Sequence, residues 1–434
     1  MTAGHVIEPE SGFTINLPAA YEEQEFFASG TASAFEATST PANGRWTVAP
    51  TTAAPYRTRI IVRRPRDPKQ FNGTVAVEWL NESAGESSPD WDYLNPELTS
   101  GGFAYVGVSA QALGVNGGSS LLGTGSGGGL ASSEPLRYAS LHHPADQYSF
   151  DLYAQIGRAL RLPSSVSVLG RLRPRHIVAV GESQSAFFLT TFANALQPLT
   201  GAFDGIFIHS RGGAGASLTG GSVASGGLPS GQRIRTDLRV PVFMFETETD
   251  LARLGYASAV QPDTSRIRVW EVAGTSHADS YIVGGFASQL GCPEPINIGP
   301  QHVVVQAAFA AFGRWVVSGR PPPSPPPIRL TSVNPASLAR DPEGNAIGGV
   351  RTPAVDVPVS TLSGIAPAGT SVICALFGST TPFPASRLAE LYGTRAGYLA
   401  RYKTSLDRAI SAGYILPADR AGLLRQAGLV KFPS

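Results

Sequence analysis

The chain has 434 residues, which suits one large domain with an appendage. Apolar residues make up 42% and charged residues 15% of the sequence, so a sizeable core can be buried. The 33 Lys and Arg residues nearly balance the 32 Asp and Glu residues. This balance argues against nucleic acid or an anionic membrane as a partner, and no apolar run is long enough to predict a transmembrane segment.

The N-terminus and the cysteines bear on the compartment. The opening MTAGHVIEPE lacks a charged start followed by an apolar stretch, so it predicts no secretory signal. We expect a cytoplasmic protein, or an exported one whose leader has been removed. The pattern of two cysteines, Cys292 and Cys374, favours two buried thiols. The alternative is a single disulfide that ties the C-terminal part to the core, which would indicate export.

Short β-branched runs alternate with longer helical patterns through the first three quarters of the chain. The later runs are too continuously apolar for half-exposed antiparallel strands, so they predict a parallel sheet covered on both faces by helices. Predicted strands cover 56–64, 73–81, 103–110, 176–181, 204–210, 240–246 and 267–274. Predicted helices cover 88–100, 146–161, 185–197, 301–319 and, capped by Thr394, 395–413.

Two stretches rich in Gly and Ser, 112–133 and 211–231, follow the carboxyl ends of predicted strands. Open α/β sheets bind their ligands at that edge, so we predict lid loops there. The run PPPSPPP (321–327) marks a stiff break. We therefore predict a core, 1–320, which includes an N-terminal β segment and both loops, and a C-terminal extension, 328–434, packed on it.

The stretch HIVAVGESQSAFF contains the candidate nucleophile, Ser183, between an apolar strand and an apolar helix. A turn this tight needs small neighbours, and Gly181 and Ser185 meet that need. Such a turn lifts the hydroxyl above the sheet and directs the following N–H, that of Gln184, at a developing oxyanion. The alternative is that Ser183 only caps a helix.

A hydroxyl nucleophile needs a base. If the order along the chain is Ser, acid, His, as in α/β-hydrolases, only His277 and His302 qualify. His302 begins an apolar helix and is interpreted as a capping or surface residue. His277 follows the last predicted strand, in the loop from which a base can reach Ser183.

The acid is expected after the preceding strand, in VPVFMFETETDL (240–251). Glu246 is assigned to the strand itself. Asp250 lies four residues further on, where the loop can turn back to accept the second ring proton of the histidine. Glu248 is the alternative acid.

The second oxyanion donor is expected in the loop after an early strand, as a backbone N–H of Asn81 or Glu82. The Glu82 side chain is expected to point away from the site or to serve another partner. Gln111 and Arg211 follow strand ends and are candidate substrate-binding residues. Arg211 could hold a substrate carboxylate, or it could be a structural ion-pair residue.

Taken together, these stretches resemble the alpha/beta hydrolase domain family of bacterial proteins. The similarity covers most of the chain, including the tail, and rests on VEWLN, PDW, VGVSAQ, VGESQSAF, HSRGG and VWEVAGTSHAD, with GGVRTPAVDVPVSTLSG and CALFGSTTPF further on. It implies an α/β-hydrolase fold and a Ser-Asp-His hydrolase assignment on Ser183, Asp250 and His277. NESAGES departs from the glycine-richer loop of the family, so the second oxyanion donor stays open.

Other motifs predict no cofactor. Gly123, Gly125 and Gly128 spell G-x-G-x-x-G without the flanking strand and helix that dinucleotide binding needs, and no metal-ligand pattern occurs. We therefore expect hydrolysis of a small-molecule carboxylic ester through an acyl-enzyme. The alternatives are an acyltransferase, lactonase or amidase with the same triad, or a non-catalytic binding protein on this fold. A homo-oligomer is possible.

Overall fold

A computed structural model describes residues 2–3, 17–120, 128–162, 166–220, 230–367 and 369–432. Within these residues a nine-stranded sheet has the order β1-β2-β3-β5-β4-β6-β7-β8-β9. The neighbours in the part β5-β4-β6-β7-β8-β9 of this order pair in parallel. The pairs β1–β2, β2–β3 and β3–β5 are antiparallel. The sheet consists of β1 (Thr2–Ala3), β2 (Tyr21–Ser39), β3 (Thr47–Pro65), β4 (Thr74–Trp79), β5 (Ala104–Val108), β6 (His176–Glu182), β7 (Gly205–His209), β8 (Val242–Thr247) and β9 (Ile267–Val272).

Fifteen α-helices are found in the described residues. They are α1 (Pro89–Ser100), α2 (Ala112–Asn116), α3 (Leu130–Ser133), α4 (Pro135–Tyr138), α5 (Ser149–Ala159), α6 (Gln184–Thr191), α7 (Gln197–Thr200), α8 (Glu248–Ala252), α9 (Ser280–Val283), α10 (Gln301–Ser318), α11 (Pro353–Asp356), α12 (Val372–Leu376), α13 (Ala385–Tyr392), α14 (Arg395–Ser411) and α15 (Arg420–Gly428). A π-helical turn, Phe192–Leu196, joins α6 to α7.

The parallel sheet is buried on both faces, as its continuously apolar strands predict. Along β6, Ile177 and Ala179 belong to one apolar cluster, and Val178 and Val180 belong to another. Successive side chains of a strand point to opposite faces, so each face of the sheet has its own core. Helices α5 and α6 supply the first cluster, and α1 and α10 supply the second. The mostly parallel α/β architecture is therefore confirmed.

The first of the two predicted loops, 112–133, contains helical segments. Within 112–133 the structure has the short helices α2 and α3, so this stretch is not irregular throughout. A five-residue helix and a four-residue helix are too short for periodicity to reveal them. Residues 121–127 and 221–229 of the two stretches lie outside the described residues.

The C-terminal residues contact the sheet directly. Val350 forms a bridge with Val272 of β9, and the Ile328 N–H donates to Glu271 Oε2 at 2.6 Å. The described residues here form two small antiparallel sheets of two strands each, β10 (Leu330–Val333) with β11 (Ala336–Leu338), and β12 (Ser360–Ser363) with β13 (Ser379–Pro382). Helices α13, α14 and α15 form an apolar cluster with each other. The division into core and extension stays a prediction.

Cys292 and Cys374, which are 82 residues apart, form a disulfide. The favoured interpretation of two buried thiols is therefore wrong, because the segment of Cys292 meets the connection between β12 and β13, which contains Cys374. At the other end of the extension, the Thr394 hydroxyl accepts from the Gly397 N–H at 3.1 Å, so the predicted cap of α14 is confirmed.

None of the helices within the described residues combines the length and the apolar character that crossing a bilayer requires.

Candidate active site

Ser183 occupies a strained turn between β6 and α6. Its φ of 57° and ψ of −118° lie outside the regions that L-residues favour. A methyl group on Gly181 would come within 2.9 Å of the Leu189 side chain and 3.1 Å of the Ser185 Cβ, so a larger residue there would have to displace its neighbours. The sequence thus folds into the sharp bend that the G-x-S-x-S pattern predicts.

Ser183 and His277 are within hydrogen-bond distance. The Ser183 Oγ lies 2.7 Å from His277 Nε2, although 94 residues separate the two. His277 lies five residues after the end of β9 and is buried. The imidazole can therefore accept the hydroxyl proton directly.

The other ring nitrogen of His277 faces Asp250. Nδ1 lies 2.7 Å from Asp250 Oδ1, and Asp250 is buried. Its Oδ2 accepts from the Thr247 N–H at 2.7 Å and from the Thr247 hydroxyl at 2.8 Å. Thr247 and Asp250 form a capping box at the start of α8, so a local helix-start pattern fixes the carboxylate.

Burial disfavours the charged form of His277, but the nearby carboxylates outweigh it. The Asp250 carboxylate, with a smaller effect from Glu182, raises the pKa of His277 above its ordinary value. The imidazolium is thus stabilised where a proton would arrive from Ser183.

Glu248, the alternative acid, contacts the loop of His277 but not its ring. Its Oε1 accepts from the Gly274 N–H at 2.7 Å. Its Oε2 accepts from Arg340 Nη2 at 3.0 Å and from the Gly364 N–H at 3.1 Å. Glu248 therefore joins α8, the loop of His277 and the C-terminal residues.

A further carboxylate, that of Glu182, lies beside the same imidazole. Its Oε1 is 3.6 Å from His277 Nε2. Burial raises the pKa of Glu182 to about 7. Sequence reasoning assigned this residue no role, although the G-E-S motif places a carboxyl directly before the candidate nucleophile.

The candidate oxyanion residues differ in their contacts. The Asn81 N–H donates to Ser87 O at 2.9 Å, and the Asn81 side chain donates to Glu182 O at 3.0 Å. The Glu82 N–H donates to the Gln184 side-chain oxygen at 2.8 Å. That bond brings the Glu82 N–H next to Gln184, the residue that follows Ser183.

The Glu82 carboxyl is buried, and no hydrogen-bond partner is found for either oxygen within the described residues. Burial, with repulsion from Glu86, raises its pKa well above the ordinary value.

The two candidate substrate-binding residues are engaged with the protein. Gln111 is buried, and its Oε1 accepts from Trp79 Nε1 at 3.2 Å. Arg211 is fully buried and donates to Gly212 O at 3.0 Å and to Gln232 O. Its guanidinium also lies over the Tyr256 ring. These contacts explain a structural role for both side chains, and their roles in substrate binding stay predictions.

His302 is half-buried rather than fully exposed, and the N-cap position of α10 is taken by Pro300. Its ring stacks on Tyr281 at a centroid distance of 4.1 Å, and burial lowers its pKa to about 4.

A second imidazole–carboxylate pair was missed by the sequence reasoning. His209 Nδ1, on β7, lies 2.9 Å from Asp90 Oδ1, and Gln301 Nε2 lies 3.2 Å from His209 Nε2.

A mostly parallel sheet with a strained serine turn after β6 defines the class of α/β-hydrolase folds. A family model described as "Alpha/beta hydrolase domain" matches residues 5–425. The chain belongs to this family of hydrolases.

Solved structures resemble the chain at low identity. A candidate dienelactone hydrolase from Klebsiella pneumoniae subsp. pneumoniae MGH 78578 has 9% identity and a TM-score of 0.36, covering 68% of this chain and 99% of its own. A cold-adapted esterase from an Arctic intertidal metagenomic library has 10% identity and a TM-score of 0.31, covering 58% and 86%. No curated protein matches the sequence.

Proposed function

We propose that the protein hydrolyses carboxylic esters through a covalent acyl-enzyme, with Ser183 as nucleophile, His277 as general base and Asp250 as the acid of the triad. The observation that carries the proposal is the unbroken path from the Ser183 hydroxyl through both ring nitrogens of His277 to Asp250, with 2.7 Å at each contact. A serine that only capped a helix would not need a buried imidazole and carboxylate aligned behind it.

In the acylation step, Ser183 Oγ attacks the ester carbonyl carbon while its proton moves to His277 Nε2. Asp250 holds the ring in the tautomer that accepts at Nε2 and stabilises the imidazolium. As the tetrahedral intermediate collapses, the leaving alcohol takes that proton from Nε2. Water then attacks the acyl-enzyme, with His277 as base, and releases the carboxylic acid.

For the oxyanion, we propose the backbone N–H groups of Gln184 and Glu82. The Asn81 N–H is the weaker candidate because it is bonded to Ser87 O. The Glu82 N–H is bonded to the side-chain oxygen of Gln184, so that oxygen stands where a substrate oxyanion would accept. The Gln184 side chain must turn away before substrate can take its place.

The test is a screen of nitrophenyl esters and lactones of graded acyl length, followed by kinetics of variants on the best substrate. Ser183→Ala and His277→Ala are each expected to lower kcat by about 10⁴-fold or more, and Asp250→Asn by about 10⁴-fold.

Ser210→Ala is the matched control. Ser210 is also a buried serine with positive φ, 56°, whose hydroxyl has no hydrogen-bond partner within the described residues. Its replacement is expected to leave kcat within about twofold, because no base among the described residues lies within hydrogen-bond distance of its hydroxyl to activate it. Equal activity of Ser183→Ala and wild type would refute the proposal.

A further inference from the structure

We propose that Glu182 is a positioning residue that stabilises the His277 imidazolium from its Nε2 side, opposite Asp250. This inference rests on the proposed function, because it assigns the second carboxylate a part in the same proton transfer. The imidazolium that forms during the reaction then lies between two carboxylates, one facing each ring nitrogen.

The geometry places Glu182 beside the travelling proton. Its Oε1 lies 3.6 Å from His277 Nε2, and Ser183 Oγ lies 2.7 Å from the same nitrogen. The distance is too long for a hydrogen bond in the resting arrangement, yet short enough for a strong charge–charge attraction at a buried site. Glu182 is 6% exposed, so little solvent screens this attraction.

The surroundings hold Glu182 in that place. The Asn81 amide donates to the Glu182 backbone oxygen at 3.0 Å and to its Oε2 at 3.4 Å. Asn81, which follows β4, thus directs the other carboxylate oxygen towards His277. This gives a physical reason for an asparagine in VEWLN that differs from an oxyanion role.

Several charged or titratable groups face Glu182 from the packed elements. Burial raises its pKa to about 7, the imidazoles of His277 and His209 oppose that rise, and the carboxylates of Asp90 and Asp250 add to it. Tyr93 on α1 also feels the Glu182 charge. Glu182 and His209 are register partners on β6 and β7, so their side chains leave the same face of the sheet.

The sign of the effect follows from the charges. Only neutral His277 can accept the Ser183 proton, so activity falls as pH drops through the pKa of His277. An ionised Glu182 raises that pKa and also stabilises the imidazolium in the transition state. Removing its charge therefore moves the acidic limb of kcat/KM to lower pH and at the same time lowers the plateau.

The experiment measures kcat/KM against pH for wild type, Glu182→Gln and Glu182→Asp on one nitrophenyl ester. Glu182→Gln is expected to move the acidic limb down by about one pH unit or more and to lower the plateau about tenfold. Glu182→Asp keeps the charge and is expected to retain most of the wild-type limb. A purely structural role would lower the plateau in Glu182→Gln without moving the limb.

Glu271→Gln is the matched control. Burial raises the pKa of Glu271 to about 7 as well, but its carboxylate accepts from the Ile328 N–H rather than facing His277. This variant removes an equally desolvated charge and is expected to leave the limb in place. An equal shift in Glu271→Gln would overturn the assignment, since the effect would then belong to any buried carboxylate.

An NMR titration of the His277 ring proton, assigned with His277→Gln, separates this inference from the proposed function. A lower His277 pKa in Glu182→Gln supports the electrostatic contact whether or not an ester is hydrolysed. An unchanged His277 pKa overturns the inference. Wild-type protein that hydrolyses no ester would instead count against the proposed function. If Glu182→Gln does not fold, Glu182→Asp is compared with wild type instead. Because this variant keeps the charge, the inference would be overturned if its acidic limb of kcat/KM and its His277 pKa moved as far as expected for loss of the charge.

Discussion

Thr247 binds Asp250 through both its backbone N–H and its hydroxyl, so one carboxylate oxygen is held by a helix cap while the other faces His277. The Asp250 side chain therefore belongs both to the start of α8 and to the candidate triad. The proposed acid of the triad, Asp250, is thus held in position by the protein itself.

Replacing Thr247 with valine removes the hydroxyl and keeps the shape. We expect a loss of about 1 kcal/mol in the free energy of unfolding, because an N-cap contact is lost. We also expect kcat/KM to fall roughly tenfold to a hundredfold, because Asp250 can then tilt away from His277. Thr247→Ser, which keeps the hydroxyl, is the control. Steady-state kinetics and urea denaturation check both effects, and full activity in Thr247→Val would show that the cap does not position the acid.

Arg340→Ala tests the link between the C-terminal residues and the site. Arg340 is the cationic partner of the buried Glu248, which also holds the Gly274 N–H in the loop of His277. Without this cation the charge of the buried Glu248 carboxylate is less well balanced, so the free energy of unfolding is expected to fall by about 3 kcal/mol. Activity is expected to fall as well, because the loop of His277 loosens.

Arg387→Ala is the control for that variant. Arg387 pairs with Glu343 at 3.0 Å, and this pair is more exposed than the Arg340–Glu248 pair. Its loss is expected to lower the free energy of unfolding by less than about 1 kcal/mol. Urea denaturation of both variants gives the comparison. Equal stabilities would mean that the Arg340–Glu248 pair contributes no more than a surface contact.

The disulfide is open to a direct chemical test. Because it closes a loop of 82 residues, the double variant Cys292→Ser, Cys374→Ser is expected to lose about 4 kcal/mol of unfolding free energy. Thiol titration of the denatured, unreduced protein is expected to find no free thiol. Two titratable thiols per chain, or a Tm insensitive to reductant, would contradict the bond.

The sheet and the serine turn could be predicted from sequence because their signals are local. β-branched runs mark the buried strands, and Gly181 with Ser185 leaves room for the bend at Ser183. His277 could be chosen as the candidate base because it follows the last predicted strand. The structure brings these predicted residues within hydrogen-bond distance.

Other features depend on partners that no local pattern reveals. Asp250 and Glu248 are two residues apart, and the difference between them lies in Arg340 and Gly364, more than 90 residues away. Cys292 and Cys374 are joined by the packing of distant segments. The contact of Glu182 with His277 likewise required the register of β6 and the course of the loop after β9.

Labelling with a fluorophosphonate probe tests the central claim most directly, because the probe reacts with a serine only when a base activates it. Intact mass spectrometry is expected to show one adduct per chain, and peptide mapping is expected to place it on Ser183. The adduct is expected to be absent in Ser183→Ala and in heat-denatured protein. An unlabelled native protein, or labelling that persists in Ser183→Ala, would contradict the account.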